Sequence, residues 1–215
     1  MNPFFINSSS FFIVGKTYFK LWGDSQAIPG RYLPQLLTQN LKTFQVEVDG
    51  KKGGGLYQRE IDCILRDAKS KYPSDQIHVM MIGGNNLRNG HESVESFEEK
   101  CQQLCEAFEN IDNAKFVMIG MIPSSKAISK PIFKFADRQL EKLAEKYSSK
   151  ISFLNIRKLF IANDKINPKL YDDSIHLSHE GMKILSNAIS HHVLCKFLIC
   201  VMKFVQLDEM SKNFN

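Results

Sequence analysis

Apolar and polar positions along the chain predict strands and helices in turn. Residues 17–26, TYFKLWGDSQ, begin as an apolar run and end in Gly23-Asp24-Ser25, a pattern typical of a strand that delivers a serine to a sheet edge. Residues 77–83, IHVMMIG, are almost continuously apolar, as in strands that are buried on both faces of a parallel sheet. Three further segments have the length and composition of strands: residues 43–48, 114–123 and 151–156.

Helical periodicity appears between these segments. The predicted helices cover residues 56–72, 94–110, 130–148 and, at the end of the pattern, 181–190. Ser93 is a suitable cap for the second of them. Strands that alternate with helices imply right-handed crossovers, so the sequence predicts a three-layer α/β/α sandwich around a five-stranded parallel sheet.

The pattern is interrupted only at its two ends, so we expect one domain over residues 17–192. Residues 1–16 form an N-terminal extension without the basic region of a signal peptide. Residues 193–215 form an apolar C-terminal extension, in which Lys196 and Lys203 break a run too short to span a membrane. We expect this extension to pack on the domain or to lie at a membrane interface, and we expect a cytoplasmic location.

Charge and cysteine content narrow the classes of partner. The 215 residues carry a formal net charge of +5, but the basic residues are scattered. This gives little support for nucleic-acid binding and leaves a weak preference for anionic partners or membrane surfaces. The 5 cysteines lack zinc-ligand spacing, and Cys101 and Cys105 are expected to be buried free thiols, which favours a reducing compartment.

Several polar or glycine-rich segments directly follow predicted strands. Ser25 follows the first strand, Gly53-Gly54-Gly55 the second, and Gly83-Gly84-Asn85-Asn86 the third. Ligands bind beyond the carboxyl ends of the strands in sheets of this kind. The three segments should therefore lie together at one edge of the sheet.

The segment before the closing helix, YDDSIHLS, contains a second chemical signal. Asp173 and His176 are three residues apart, a spacing at which the aspartate can accept a hydrogen bond from one imidazole nitrogen while the other nitrogen faces a serine. Ser178 is a good helix cap. His179 could form a metal pair with His176, although a polar position in the first turn of the helix is the simpler interpretation. Asp24 is expected to be a hydrogen-bonding residue of its turn.

Taken together and in order, these residues resemble the SGNH, or GDSL-type, hydrolase family. The similar blocks are Gly23-Asp24-Ser25, a glycine near Gly54, Gly83-Gly84-Asn85-Asn86 and Asp173-Ser174-Ile175-His176. The resemblance covers roughly residues 17–190 and implies the flavodoxin-like sheet of that family. The third block, IGGNNLR, also looks like SGNH-type domains encoded by some non-LTR retrotransposons.

The resemblance implies a role for each matching position. Ser25 would be the nucleophile, His176 the general base and then acid, and Asp173 its orienting carboxylate. The oxyanion hole would consist of the backbone N–H of Ser25, the backbone N–H of Gly54 and the side-chain amide of Asn85. Neither a metal nor an organic cofactor is implied.

Two positions depart from the family pattern. The third block commonly ends in Asn-Asp, whereas this chain has Asn85-Asn86, so an amide replaces a carboxylate. In the second block, three consecutive glycines leave Gly55 as an alternative to Gly54.

The sequence thus predicts a serine esterase that acts on a small or short-chain acyl ester through an acyl-enzyme. The alternative is an SGNH-like binding or assembly module with weak or no hydrolysis, contacting nucleic acid or membrane through its basic charge.

Overall fold

The parallel sheet is the centre of the fold. The computed structural model describes residues 17–70, 75–88, 90, 92–124, 131–147, 149–162 and 165–198. The strands are β1 (Tyr18–Gly23), β2 (Gln45–Gly50), β3 (Gln76–Met81), β4 (Ala114–Ile119) and β5 (Ile151–Leu154). They are all parallel and lie in the order β2-β1-β3-β4-β5. This is the flavodoxin-like order, whose topological switch point lies between β1 and β3, and the predicted fold class is confirmed.

Helices connect the strands and cover both faces of the sheet. They are α1 (Tyr32–Asn40), α2 (Gln58–Lys69), α3 (Gly84–Arg88), α4 (Val94–Glu109), α5 (Pro131–Lys146), α6 (Arg157–Phe160) and α7 (His179–Val193). A short antiparallel hairpin, β6 (Ile161–Ala162) and β7 (Lys165–Ile166), and a 3-10 turn at Pro168–Leu170 precede α7.

Two apolar clusters show which helices lie on which face. Phe19 and Leu21 of β1 pack in one cluster with residues of α1 and α7. Trp22, on the opposite face of the same strand, packs with residues of α2, α4 and α5. Cys101 and Cys105 lie in this second cluster as buried free thiols, as predicted.

Helix α1 is the main element absent from the sequence prediction. Its leucines are Leu33, Leu36 and Leu37; Leu33 and Leu37 are buried in the core, and the partly buried Leu36 packs against the same cluster. Pro34 interrupts the pattern, but it lies in the first turn, where a missing N–H costs no helical hydrogen bond. These three leucines at helical spacing, just after a turn, were the available signal.

The closing helix is longer than predicted and ends at Val193. A π-helical turn, Leu194–Leu198, follows, and Leu194 and Phe197 pack against the α1/α7 cluster. The first part of the C-terminal extension is therefore a packed element; residues 199–215 and the predicted extension at 1–16 lie outside the described residues. Within the described part of the chain, no helix is long and apolar enough to cross a membrane.

Three polar side chains form a buried hydrogen-bonded series on the face of the sheet that α2 and α4 cover. Trp22 Nε1 donates to His78 Nδ1 at 3.3 Å, and His78 Nε2 lies 3.0 Å from Gln76 Oε1. An indole can only donate, so the imidazole accepts at Nδ1 and carries its proton on Nε2. Burial, together with the charge of Lys20, lowers the pKa of His78 to about 3. His78 is thus a neutral structural residue.

Substitution of His78 by Gln should flatten the acid limb of the stability curve. Gln keeps one acceptor and one donor but does not titrate. In the wild type, the unfolded chain binds a proton below about pH 6.5 that folded His78 does not bind until about pH 3. The contribution of His78 to the free energy of unfolding is therefore fully present above about pH 6.5. Below that pH it decreases by up to about 1.4 kcal/mol per pH unit. Urea unfolding of both proteins at pH 7, 6 and 5 measures the difference, and parallel curves would contradict the assignment.

Candidate functional site

The turn that carries Ser25 folds back tightly on the strand ends. Ala27 N–H donates to Asp24 O at 3.1 Å, closing the turn directly after β1. A Cβ at Gly23 would lie 2.3 Å from Ala27 Cβ, and one at Gly50 would lie 2.2 Å from the Ala27 carbonyl carbon. Only glycine fits at either position. Ser25 is therefore held just beyond the carboxyl end of β1, beside the switch point.

Asp24 has the structural role expected for it. Its Oδ1 accepts from the backbone N–H of Gln26 at 2.9 Å, and its side chain is buried. Burial raises the pKa of Asp24, while Arg88 and the Gln26 N–H act in the opposite direction. The carboxylate thus braces the turn behind the serine.

Ser25, His176 and Asp173 form a continuous hydrogen-bonded series. His176 Nε2 lies 3.1 Å from Ser25 Oγ, and His176 Nδ1 lies 2.7 Å from Asp173 Oδ2. The carboxylate can only accept, so Nδ1 carries the proton and Nε2 is left to accept from the serine hydroxyl. The structure brings together all three residues that the sequence selected for this series.

Asp173 is held as an ionised acceptor. Its Oδ1 receives the backbone N–H groups of Ile175 and His176, each at 2.7 Å. Slight burial raises the pKa of Asp173, but these bonds and the one from the His176 ring outweigh it and lower the pKa to about 2. The carboxylate is therefore ionised throughout the neutral pH range.

The loop that carries His176 is tied to the start of α7. Asp172 N–H donates to His176 O at 2.9 Å, and Ser178 N–H donates to Leu170 O at 2.9 Å. Ser178 Oγ accepts from Gly181 N–H at 3.3 Å, which confirms it as the cap of α7. These hydrogen bonds fix the position of the loop backbone relative to the N-terminus of α7.

Asn85 lies in the first turn of α3, and both the nitrogen and the oxygen of its side-chain amide are hydrogen-bonded. Its Nδ2 donates to Gly54 O at 2.9 Å, and its Oδ1 accepts from Arg88 Nη1 at 3.1 Å. An amide nitrogen carries two protons, so one remains for a further acceptor. The sequence did not predict this role for Arg88; its signal was a basic residue three positions after Asn85, on the same face of the helix.

The backbone N–H of Gly54, the first choice for the second oxyanion donor, is used within the glycine loop. Gly54 N–H donates to Lys51 O at 2.9 Å and is thereby used in a turn. Gly55 packs directly on the third block, because a Cβ there would lie 2.4 Å from Asn86 Oδ1. Of the two glycines considered, Gly55 is thus the one whose N–H is not used in this turn.

Asn86 has a specific reason to be an amide. It is completely buried; its Oδ1 accepts from Leu56 N–H at 2.9 Å and its Nδ2 donates to Glu92 Oε2 at 2.8 Å. Glu92 also receives Ser96 Oγ–H and is paired with Lys100. An aspartate could accept from Leu56 but would repel Glu92. The amide at position 86, where the family commonly has Asp, is therefore explained by the neighbouring Glu92 carboxylate, which needs a donor.

His179, the possible metal partner of His176, lies against α1. Its ring packs against Tyr32, with the ring centroids 4.4 Å apart. Among the described residues, no group of three His, Cys, Asp or Glu side chains is arranged to hold a metal ion.

Comparison of the sequence with protein-family models and with curated proteins finds no match. Solved structures of similar fold do exist. A member of the lipolytic G-D-S-L family from Veillonella parvula is 14% identical with a TM-score of 0.66, over 85% of this chain and 98% of that one. An acetyl esterase mutant solved with an acetate ion is 17% identical with a TM-score of 0.65, over 88% and 99%.

An acetylxylan esterase from Geobacillus stearothermophilus gives a similar result. It is 16% identical with a TM-score of 0.63, over 85% of this chain and 94% of that one. At these identities the likeness shows the fold alone, and that fold is the one the sequence resemblance implied.

Substitution of Asn86 by Asp should destabilise the protein in a pH-dependent way. The introduced carboxylate would face Glu92 in a buried position, at an expected cost of about 2 to 4 kcal/mol near neutral pH. Protonation restores a donor toward Glu92, so the deficit relative to the wild type should shrink between pH 8 and pH 5. Chemical denaturation across this range measures it. Asn86→Ala, which does not titrate, should show a constant deficit, and a constant deficit for Asn86→Asp as well would contradict the explanation.

Proposed function

We propose that the chain is a serine esterase of the SGNH type, which acts by acyl transfer through Ser25, His176 and Asp173. The observation that carries the proposal is the pair of contacts at His176, 3.1 Å to Ser25 Oγ and 2.7 Å to Asp173 Oδ2. A serine hydroxyl is a weak nucleophile unless an oriented base takes its proton. Both requirements, the base and its orienting group, have a candidate at hydrogen-bond distance.

In the first half-reaction, Ser25 Oγ attacks the ester carbonyl carbon while its proton passes to His176 Nε2. The ionised carboxylate of Asp173 stabilises the imidazolium that forms. The tetrahedral intermediate then collapses. The bond to the alcohol breaks, His176 gives its proton to the leaving oxygen, and the acyl group stays on Ser25.

In the second half-reaction, water takes the place of the alcohol. His176 accepts a proton from the water as it attacks the acyl carbon, and then returns a proton to Ser25 Oγ as the carboxylic acid leaves. The acyl-enzyme thus divides one difficult displacement into two.

Donors for the oxyanion complete the proposal. We assign the backbone N–H of Ser25 and the second proton of Asn85 Nδ2, because the first proton is donated to Gly54 O. For the remaining donor we favour Gly55 over the predicted Gly54, since Gly54 N–H already donates to Lys51 O. Such donors stabilise charge that appears only in the transition state.

We propose a small or short-chain acyl ester as the substrate. The proposal draws support from structures of similar fold that include an acetyl esterase with acetate and an acetylxylan esterase. No part of the chemistry requires a metal or an organic cofactor.

Ser25→Ala should abolish ester hydrolysis, because it removes the atom that attacks. With p-nitrophenyl acetate, we expect kcat/KM to fall by at least about 10³-fold. Asn40→Ala is the control, because it removes hydrogen bonds from α1 to Ser186 and Asn187 of α7 without changing a residue assigned to the reaction. Its rate should equal that of the wild type. Equal rates for the wild type and Ser25→Ala would contradict the esterase proposal and leave the binding module as the alternative. Salt-sensitive binding of RNA or of anionic vesicles would then test that alternative.

Asn85→Ala should lower kcat by about 10²- to 10³-fold with little change in KM, because an oxyanion donor acts in the transition state and contributes little to ground-state binding. Steady-state kinetics with the same ester separate the two constants. A rise in KM at unchanged kcat would instead assign Asn85 to substrate binding.

A further inference from the structure

We infer that Gln26 is a positioning residue that sets the distance between the nucleophile and its base. This inference rests on the proposed function, since it concerns the same Ser25 and His176. Gln26 is the residue directly after the nucleophile, and it is only 3% exposed.

Gln26 clamps the backbone on both sides of His176. Its Nε2 donates to Ile175 O at 2.9 Å, and its Oε1 accepts from Leu177 N–H at 3.2 Å. The side-chain amide thus pairs with the carbonyl before His176 and the N–H after it, much as a neighbouring strand would. Both partners lie about 150 residues away along the chain, at a separation of 149 for Ile175 and 151 for Leu177.

The clamp closes a ring that contains the reacting atoms. From Ser25 Oγ the ring runs through the backbone to Gln26, through its amide to the His176 backbone, and along the imidazole back to Oγ at 3.1 Å. Asp24 fixes the start of this path, because its Oδ1 accepts from Gln26 N–H at 2.9 Å. Each member of the ring is therefore positioned relative to the serine.

The loop needs such a clamp because it lies near the surface. The side chains of Asp173 and His176 are 54% and 25% exposed, so little packing restrains them. Among the described residues, the hydrogen bonds of Asp173 go to Ile175 and His176 of its own loop, so they orient the ring without fixing the loop in place. Gln26 supplies a buried link from the loop to the turn that follows β1.

The chemistry of the clamp requires an amide. It needs one donor and one acceptor on the same planar group, which Gln provides. The leucine that gives the G-D-S-L family its fourth letter has neither, so the clamp is a feature of this chain that the family name does not include. Methionine has similar length and neither group, whereas glutamate when ionised keeps only the acceptor.

The test compares Gln26→Met with the wild type and with Asn40→Ala, which also removes two hydrogen bonds between elements but lies away from the site. For p-nitrophenyl acetate we expect Gln26→Met to lower kcat about 10- to 100-fold with KM within about two-fold, since small misplacements of catalytic groups have effects of this size. The Leu177 amide should exchange its hydrogen faster in Gln26→Met alone. Unchanged kcat, or an equal fall of kcat in Asn40→Ala, would overturn the inference.

Gln26→Glu keeps the experiment decisive if Gln26→Met does not fold. The ratio of its kcat to that of the wild type should fall as the pH rises, because ionisation removes the donor to Ile175 O; a pH-independent ratio would contradict the clamp. Failure of the proposed function is distinguishable. If the wild type does not hydrolyse the ester, the esterase is rejected, and Leu177 exchange alone decides whether Gln26 holds the loop.

Discussion

The hydrogen bond between Ser25 Oγ and His176 Nε2 joins parts of the chain 151 residues apart, and the rest of the site depends on it. The sheet order makes the approach feasible. Because β1 lies between β2 and β3, the turn after it opens at the switch point, where the glycine loop and Asn85 also lie. The turn itself folds back closely enough that only glycine fits at positions 23 and 50.

The sequence predicts β3 well because a strand buried on both faces leaves an almost continuous apolar run. The more exposed edge strand β2 is predicted from its alternation and from the turn residues that follow it. The sequence predicts Ser25, Asp173 and His176 because their order and spacing are local to short motifs. Helix α1 is missed because Pro34 interrupts its weak apolar pattern. Gln26 and the Asn86–Glu92 pair are missed for another reason: their partners lie far along the chain or in a different element, and no local pattern shows which polar side chains will meet.

His78 and His176 differ in burial and in the partners of their rings. Burial and the charge of Lys20 keep His78 neutral near neutral pH, and its hydrogen bonds join it to Trp22 of β1 and to Gln76 of β3. His176 is partly exposed and is bonded to the carboxylate of Asp173, so a positive charge on its ring would be paired and partly hydrated. The spacing to Asp173 singles out His176 in the sequence, whereas the partners of His78 become apparent only in the structure.

Reaction with a fluorophosphonate probe, followed by mapping of the modified peptide, tests the central claim most directly. The probe forms a stable bond only with a serine whose oxygen is activated by a base. We expect modification of Ser25 alone, at a rate that drops sharply in His176→Ala. No modification, or modification of another serine while Ser25 stays unlabelled, would contradict the account.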